Sequence, residues 1–302
     1  MSTRDTSSRC SSSPDRSKPR FRASRESPVQ KDVTGTNEPF HGTSPLLAPH
    51  EPRPYRIANA DGRAPLLFTC DHASWAVPES LESLGLQASD LQRHIGWDRG
   101  AAEATVRLAK RFDAPAIMTR YSRLVIDCNR TPRSPGSIPE TSDGTTIPGN
   151  LGLSQSEAER REDALFKPYH AAIAELLQKM REGGATPIYI AMHTFTPRMN
   201  GFKRPWHFGV LWDRDTTLAQ QLIAELKRNS GIVVGDNQPY SAQGKFDFSR
   251  MHHASTAGLP YALVEIREDL LASPRRITYF SNMLGDALER AFEAAQCDWQ
   301  VL

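Results

Sequence analysis

Four short apolar runs lead into residues able to do chemistry. Pro65–Cys70 (PLLFTC) runs into Asp71 and His72, and Leu124–Cys128 (LVIDC) carries Asp127 and is followed by Asn129 and Arg130. Pro187–Met192 (PIYIAM) is followed by His193, and Tyr261–Ile266 (YALVEI) carries Glu265 with Arg267 just beyond. In an open α/β sheet, ligands bind outside the carboxyl ends of the strands. If these runs lie side by side, two imidazoles, a carboxylate and guanidinium groups gather on one rim. Imidazole nitrogen is a favoured zinc ligand, and a catalytic zinc keeps three protein ligands and an open water position. Such a metal acidifies the water and polarises a carbonyl. A nearby glutamate can take the water's proton and pass it to a leaving nitrogen. His72 and His193 are therefore candidate metal ligands, and Glu265 is a candidate general base. A single strand-end histidine is more often a satisfied core or rim residue, so the pair carries the reading. His252 and His253 lie in a polar loop and are weaker candidates.

Gathering these groups requires the runs to be strands of one sheet. Each is short and continuously apolar, as expected of strands buried on both faces, and Phe208–Trp212 (FGVLW) is another. Between them lie helical patterns. Asp98–Phe112 places Ala101, Thr105, Leu108 and Phe112 at helical spacing, with Asp98 in position to cap the helix. Residues 155–182 carry Leu165, Tyr169, Ile173, Leu176 and Met180 on one face and stop at Gly183 and Gly184. Further helices are expected at 215–229 and 274–296. Strands alternating with helices imply an α/β fold with a mainly parallel sheet covered on both faces. The simplest partition is one catalytic domain over 56–302. Residues 1–55 differ in kind: Ser, Pro, Arg and Lys dominate and large apolar residues are nearly absent, which reads as a disordered tail. Asp5, Asp15, Glu26 and Asp32 argue against a transit peptide.

The chain has 302 residues, enough for a large α/β domain with a substantial core. Its 37 basic residues against 35 acidic ones leave a formal charge of +2, which gives no argument for a nucleic-acid or membrane surface. No apolar run approaches the roughly 18–20 residues of a membrane helix. Cys10, Cys70, Cys128 and Cys297 are widely spaced, with no C-x-x-C pair. That argues against a zinc finger or disulfide scaffold and points to a reducing compartment, the cytoplasm. A small-molecule partner is expected.

Eight segments resemble the N-formylglutamate amidohydrolase family, in that family's order. They are Leu66–Leu81 (LLFTCDHASWAVPESL), His94–Ala102 (HIGWDRGAA), Tyr121–Arg130 (YSRLVIDCNR), Ile147–Asn150 (IPGN), Ala191–Pro197 (AMHTFTP), Arg204–Trp212 (RPWHFGVLW), Gly235–Tyr240 (GDNQPY) and Val264–Leu270 (VEIREDL). Together they span about residues 60–275. The family is related to zinc carboxypeptidases and to the aspartoacylase and succinylglutamate desuccinylase group. The resemblance implies a three-layer, zinc-carboxypeptidase-like fold with a twisted, mostly parallel (mixed) central sheet flanked by helices. It implies hydrolysis of an N-acyl acidic amino acid, such as N-formyl-L-glutamate to formate and glutamate, with Zn2+ or another divalent metal.

It also implies roles. Asp127-Cys128-Asn129-Arg130 is similar to the D-x-N-R segment whose Asn and Arg bind the substrate's α-carboxylate. Glu265 in Val264-Glu265-Ile266-Arg267 is similar to the general base of an F-E-L-R segment, and His72 and His193 resemble the two zinc histidines. The third ligand departs from H-x-x-E, because Trp75 stands three residues after His72. Asp98 and Glu79 are the alternatives. Asp98 is preferred because it belongs to the family-like HIGWDRGA segment, with helix capping as its other reading. A second substrate carboxylate needs another fork of donors, for which Arg123 and Arg204 are candidates. Arg123 and Arg130 are seven residues apart, so Arg130 is expected in the loop beyond the strand. Asn237 and Tyr240 lie in a turn-rich loop. Two rival readings are a deacylase or carboxypeptidase-like peptidase acting on another amide, and a zinc-free module that senses an acidic metabolite.

Overall fold

The computed structural model describes residues 46–213, 217–242 and 247–300, all within one compact unit. Seven strands form the central sheet: β1 (Tyr55–Ala58), β2 (Leu66–Cys70), β3 (Ala116–Thr119), β4 (Ile188–Phe195), β5 (Phe208–Leu211), β6 (Val234–Asp236) and β7 (Tyr261–Arg267). Their order is β1-β3-β2-β4-β7-β5-β6. The central strands β3, β2, β4 and β7 are mutually parallel; β1 joins one side antiparallel, and β5 and β6 run reversed on the other. The sheet is mixed, and its parallel centre aligns the carboxyl ends of β2, β4 and β7.

The period of two along each strand divides the core. Leu66, Phe68 and Cys70, Ile188, Ile190 and Met192, and Ala262, Val264 and Ile266 face one side. There they meet α1 (Ala101–Arg111), α3 (Thr217–Lys227) and α4 (Pro274–Ala294). Leu67, Tyr189, Ala191, Tyr261 and Leu263 face the other side, toward α2 (155–182). This helix is π-helical over Glu162–Phe166 between its α-helical segments Gln155–Arg161 and Lys167–Glu182. The same alternation turns His193 and Glu265 toward the α2 face.

Two expectations need correction. Leu124–Cys128 is not a strand: Leu124, Val125, Ile126 and Cys128 are buried, but the segment is a looped stretch with no neighbouring chain in a ladder. The strand beside β2 is Ala116–Thr119, which apolar run length alone did not single out. The expected tail also extends too far. Residues 1–45 lie outside the described residues, whereas 46–54 pack on the domain. Leu46 is fully buried, Glu51 accepts from the Ala48 and Glu79 amides at 2.8 and 3.0 Å, and the Pro52 carbonyl accepts from the Tyr121 hydroxyl at 2.9 Å. A Ser/Pro-rich composition hides one leucine that has a slot in the core. Leu46→Ala is therefore expected to cost about 2–4 kcal/mol, read from the denaturant midpoint; a loss below about 0.5 kcal/mol, the scale of surface changes, would contradict the packing of this strap.

Candidate active site

The site begins with register. In the parallel β4–β7 pair, Glu265 stands opposite His193. His72 lies two residues beyond β2, the strand on the other side of β4. Asp98 joins them from the next turn, its amide donating to the His72 carbonyl at 2.9 Å. Its side chain does not cap α1. Gly100 holds the N-cap position with φ 80°, where a Cβ would fall 2.6 Å from the Leu271 Cβ, and no side-chain cap bond forms. That left-handed glycine begins the helix and leaves Asp98 turned inward. Its Oδ2 lies 3.0 Å from His193 Nδ1 and 3.3 Å from His72 Nδ1, and accepts the Thr194 amide at 3.1 Å.

Each imidazole has a second carboxylate behind it. His72 Nε2 donates to Asp127 Oδ1 at 2.8 Å, and His193 Nε2 lies 3.5 Å from Asp71 Oδ2. Asp127 Oδ2 receives the Arg123 fork at 2.7 and 3.1 Å, while Asp71 Oδ1 accepts from the Tyr169 and Ser249 hydroxyls at 2.7 and 2.9 Å. Carboxylates behind imidazoles fix the rings and leave the opposite nitrogens to a common centre. One ligand atom each from His72, Asp98 and His193 lies within 4.8 Å of the others, and all three residues are buried.

The electrostatics of the cluster suit a cation. Burial alone would push the carboxyl pKa values up. Instead Asp71 is held down at about 2 by His193, and Asp98 and Asp127 fall well below the usual range beside the histidines and Arg123. Burial opposes a charge on His193, yet Asp71 and Asp98 raise its pKa well above the ordinary value. His193 Nε2 and Asp71 Oδ2 are buried without a hydrogen-bond partner. This donor set, two imidazoles and a carboxylate, fits zinc and also suits other divalent ions.

Glu265 has the opposite character. It is 6% exposed, its Oε2 is buried with no hydrogen-bond partner, and burial pushes its carboxyl up to about 7, with Asp98 adding to the rise and His193 opposing it. Across the antiparallel side of β7 it faces Gly209 of β5, which is paired in turn with Gly235 of β6. A Cβ at either glycine would come within 2.1 or 2.5 Å of the Gln238 carbonyl oxygen. The two bare positions let the Gln238 peptide lie on the sheet beside Glu265.

These groups open onto a cavity of about 780 Å3, whose lining includes Asn129, Arg130, Arg123, His94, Asp143 and Tyr240. The volume is typical of small-molecule sites. Asn129 Oδ1 accepts the Ser249 amide at 3.0 Å, so its amide nitrogen remains for a ligand. Arg123 lines the cavity, but its fork is committed to Asp127. Arg204 does not line it: its guanidinium is buried behind Tyr240, donating to the Tyr240 hydroxyl at 3.1 Å with its carbon 4.9 Å from that ring's centre. Arg267 points away, pairing with Asp269 at 2.7 Å and donating to the carbonyls of residues 204–206.

Of the two alternatives for the third ligand, Asp98 reaches both histidines, while Glu79 is exposed and bonds His50 at 3.0 Å. Trp75 is 37% exposed and stands off the cavity. His253 bonds His170 at 2.9 Å, and His170 bonds the Cys128 carbonyl, which braces the Asn129 loop from behind. Asn237 Oδ1 accepts from the amides of Trp212 and Ala242, a turn role. The supporting roles of Asp71 and Asp127 were missed, although the Asp71-His72 doublet was the available signal. His94 on the cavity wall carried no signal of its own.

Fold and site together define a mixed α/β protein with a buried His–Asp–His cluster at the carboxyl ends of its central strands. Comparison with known proteins makes this narrower: the family model described as N-formylglutamate amidohydrolase matches residues 64–272, and the chain belongs to that family. Among solved structures, a gene product of Agrobacterium tumefaciens is 31% identical, with 83% of this chain and 99% of that one covered at a TM-score of 0.81. An N-formylglutamate amidohydrolase from Ralstonia eutropha shares the fold at 20% identity and a TM-score of 0.58, covering 80% of this chain and 98% of that one. Among curated proteins no match is found.

The raised Glu265 carboxyl has a measurable consequence. It ionises near 4.5 ordinarily and near 7 in the fold, so its contribution to stability falls as pH rises through that interval. With chelator present, Glu265→Gln should match the parent's stability near pH 4.5 and exceed it by roughly 3 kcal/mol at pH 8. A pH-independent difference in urea unfolding would contradict the buried, uncompensated carboxyl.

Proposed function

We propose that this protein is a metal-dependent amidohydrolase that removes the acyl group, formyl in the first instance, from an N-acyl acidic amino acid such as N-formyl-L-glutamate. The observation that carries the reading is the buried His72–Asp98–His193 cluster with Glu265 in register beside His193. His72, Asp98 and His193 would hold the metal, zinc or another divalent ion. When bound, it supplies Lewis-acid polarisation of the amide carbonyl and acidification of water. Glu265, buried with a carboxyl near 7, is suited to take the proton of the attacking water and hand it to the leaving nitrogen. Asn129 and Arg130, beyond Asp127 on the same loop, hold the α-carboxylate. Arg123 holds Asp127 and borders the cavity, and Arg204 acts on the substrate's side through Tyr240. A small molecule of this kind is the partner the cavity suits.

Cys70 and Cys128 are buried free thiols, which supports placement in a reducing compartment, the cytoplasm. No helix among the described residues is long and apolar enough to cross a membrane.

Formate release from N-formyl-L-glutamate by the zinc-supplied protein should be lost on adding chelator; no release from folded, metal-loaded protein would discard this substrate. Glu265→Gln should lower kcat by about 10²–10⁴-fold while metal still binds. Turnover at the parent rate would remove Glu265 from its role. Arg130→Met should raise KM far more than it lowers kcat, and an unchanged KM would move carboxylate recognition elsewhere.

A further inference from the structure

The looped stretch 121–128 is buried without a strand partner, and buried carbonyls must find donors. Two side chains far along the sequence supply them. Asn150 Nδ2 donates to the Leu124 and Pro139 carbonyls at 2.9 and 2.8 Å. Arg161, on the first segment of α2, donates from Nη1 to the Val125 carbonyl at 3.1 Å and to Asn150 Oδ1 at 2.7 Å, and from Nη2 to the Gly149 carbonyl at 3.1 Å. Both residues are 1% exposed. The bond from Arg161 to Asn150 Oδ1 fixes the amide's orientation, aiming its N–H groups at the Leu124 and Pro139 carbonyls.

Two of the carbonyls so held, those of Leu124 and Val125, lie between Arg123 and Asp127. Those two ends carry the contacts that matter: Arg123 grips Asp127, and Asp127 orients His72 at 2.8 Å. Asn129, by contrast, is secured from the other side by the amides of Phe248 and Ser249. We propose that Asn150 and Arg161 are positioning residues for His72, setting metal affinity through the 123–127 arc rather than substrate binding through Asn129 and Arg130. The inference rests on the metal reading given above.

Asn150→Asp keeps the acceptor for Arg161 and deletes the two donors; Arg161→Lys keeps the charge and loses the fork. Zinc affinity is measured by competition with a chromophoric chelator, and the cobalt-substituted protein reports ligand geometry in its visible spectrum. Both variants should bind zinc about 10–100-fold more weakly, with a perturbed cobalt spectrum. Phe292→Leu, which loosens the α4 core far from the arc, should leave zinc affinity unchanged despite lowering the melting temperature. On an Asp127→Asn background the effect of Asn150→Asp should shrink, as coupled positions require. Zinc affinities within twofold of the parent in both variants, an undiminished effect on the Asp127→Asn background, or an equal loss in Phe292→Leu would each overturn the proposal. A parent chain that binds no divalent ion overturns the metal reading and this inference together, whereas failure with a zinc-binding parent falls on this inference alone.

Discussion

The arrangement turns on one buried carboxylate shared by two imidazoles. Asp98 Oδ2 stands within 3.3 Å of both His72 and His193 and so joins those two strand ends to the α1 turn. A buried charge is tolerated only when it is paired and hydrogen-bonded. The parallel adjacency of β2 and β4, the left-handed glycine before α1 and the Thr194 amide all serve that pairing. Asp71 and Asp127 then extend it outward, so that five ionisable side chains form one connected, nearly dry assembly. The sheet below it is ordinary α/β packing; the polar rim is where its geometry becomes exacting.

Much of this was legible in the sequence because it follows from period and position. An apolar run that ends on a histidine predicts a strand whose last side chain faces the rim, and His193 and Glu265 obey the alternation of their own strands. The preference for Asp98 over Glu79 rested on the local segment; the structure sets Asp98 against both histidines and Glu79 on the surface. The failures have a physical pattern as well. LVIDC has the composition of a strand, but composition reports burial and not which backbone groups pair. Its carbonyls are met by side chains 25 or more residues away, a solution without periodicity. Arg204 and Arg267 sit beside site segments yet spend their donors on a tyrosine and on backbone carbonyls, because charge in a motif does not say which way the side chain turns.

The histidines also show how residue type misleads without partners. His170 and His253 form as close a pair as many metal sites offer, 2.9 Å apart and buried. Burial lowers their pKa values to about 4 and about 3, so neutral rings are the favoured state. Among the described residues, no carboxylate stands within ion-pair distance of either. Two imidazoles flanked by three aspartates could hold a cation, whereas two imidazoles flanked by Phe166, Phe248 and a carbonyl make a piece of core.

The glycine pair under Gln238 gives the site an unequal capacity for change. Beside Glu265 the wall is main chain, the Gln238 peptide resting on Gly209 and Gly235, and a peptide keeps its shape and dipole whatever side chain it bears. A few residues on, the same loop presents Tyr240, Ser241 and Ala242 to the cavity as side chains that single substitutions can exchange. Divergence along this loop therefore alters the side-chain surface of the cavity while leaving the flank of Glu265 as it was. In evolutionary terms the fold separates a conservative half of the pocket from an adaptable one, and the hinge between them is a pair of hydrogens where side chains would otherwise be.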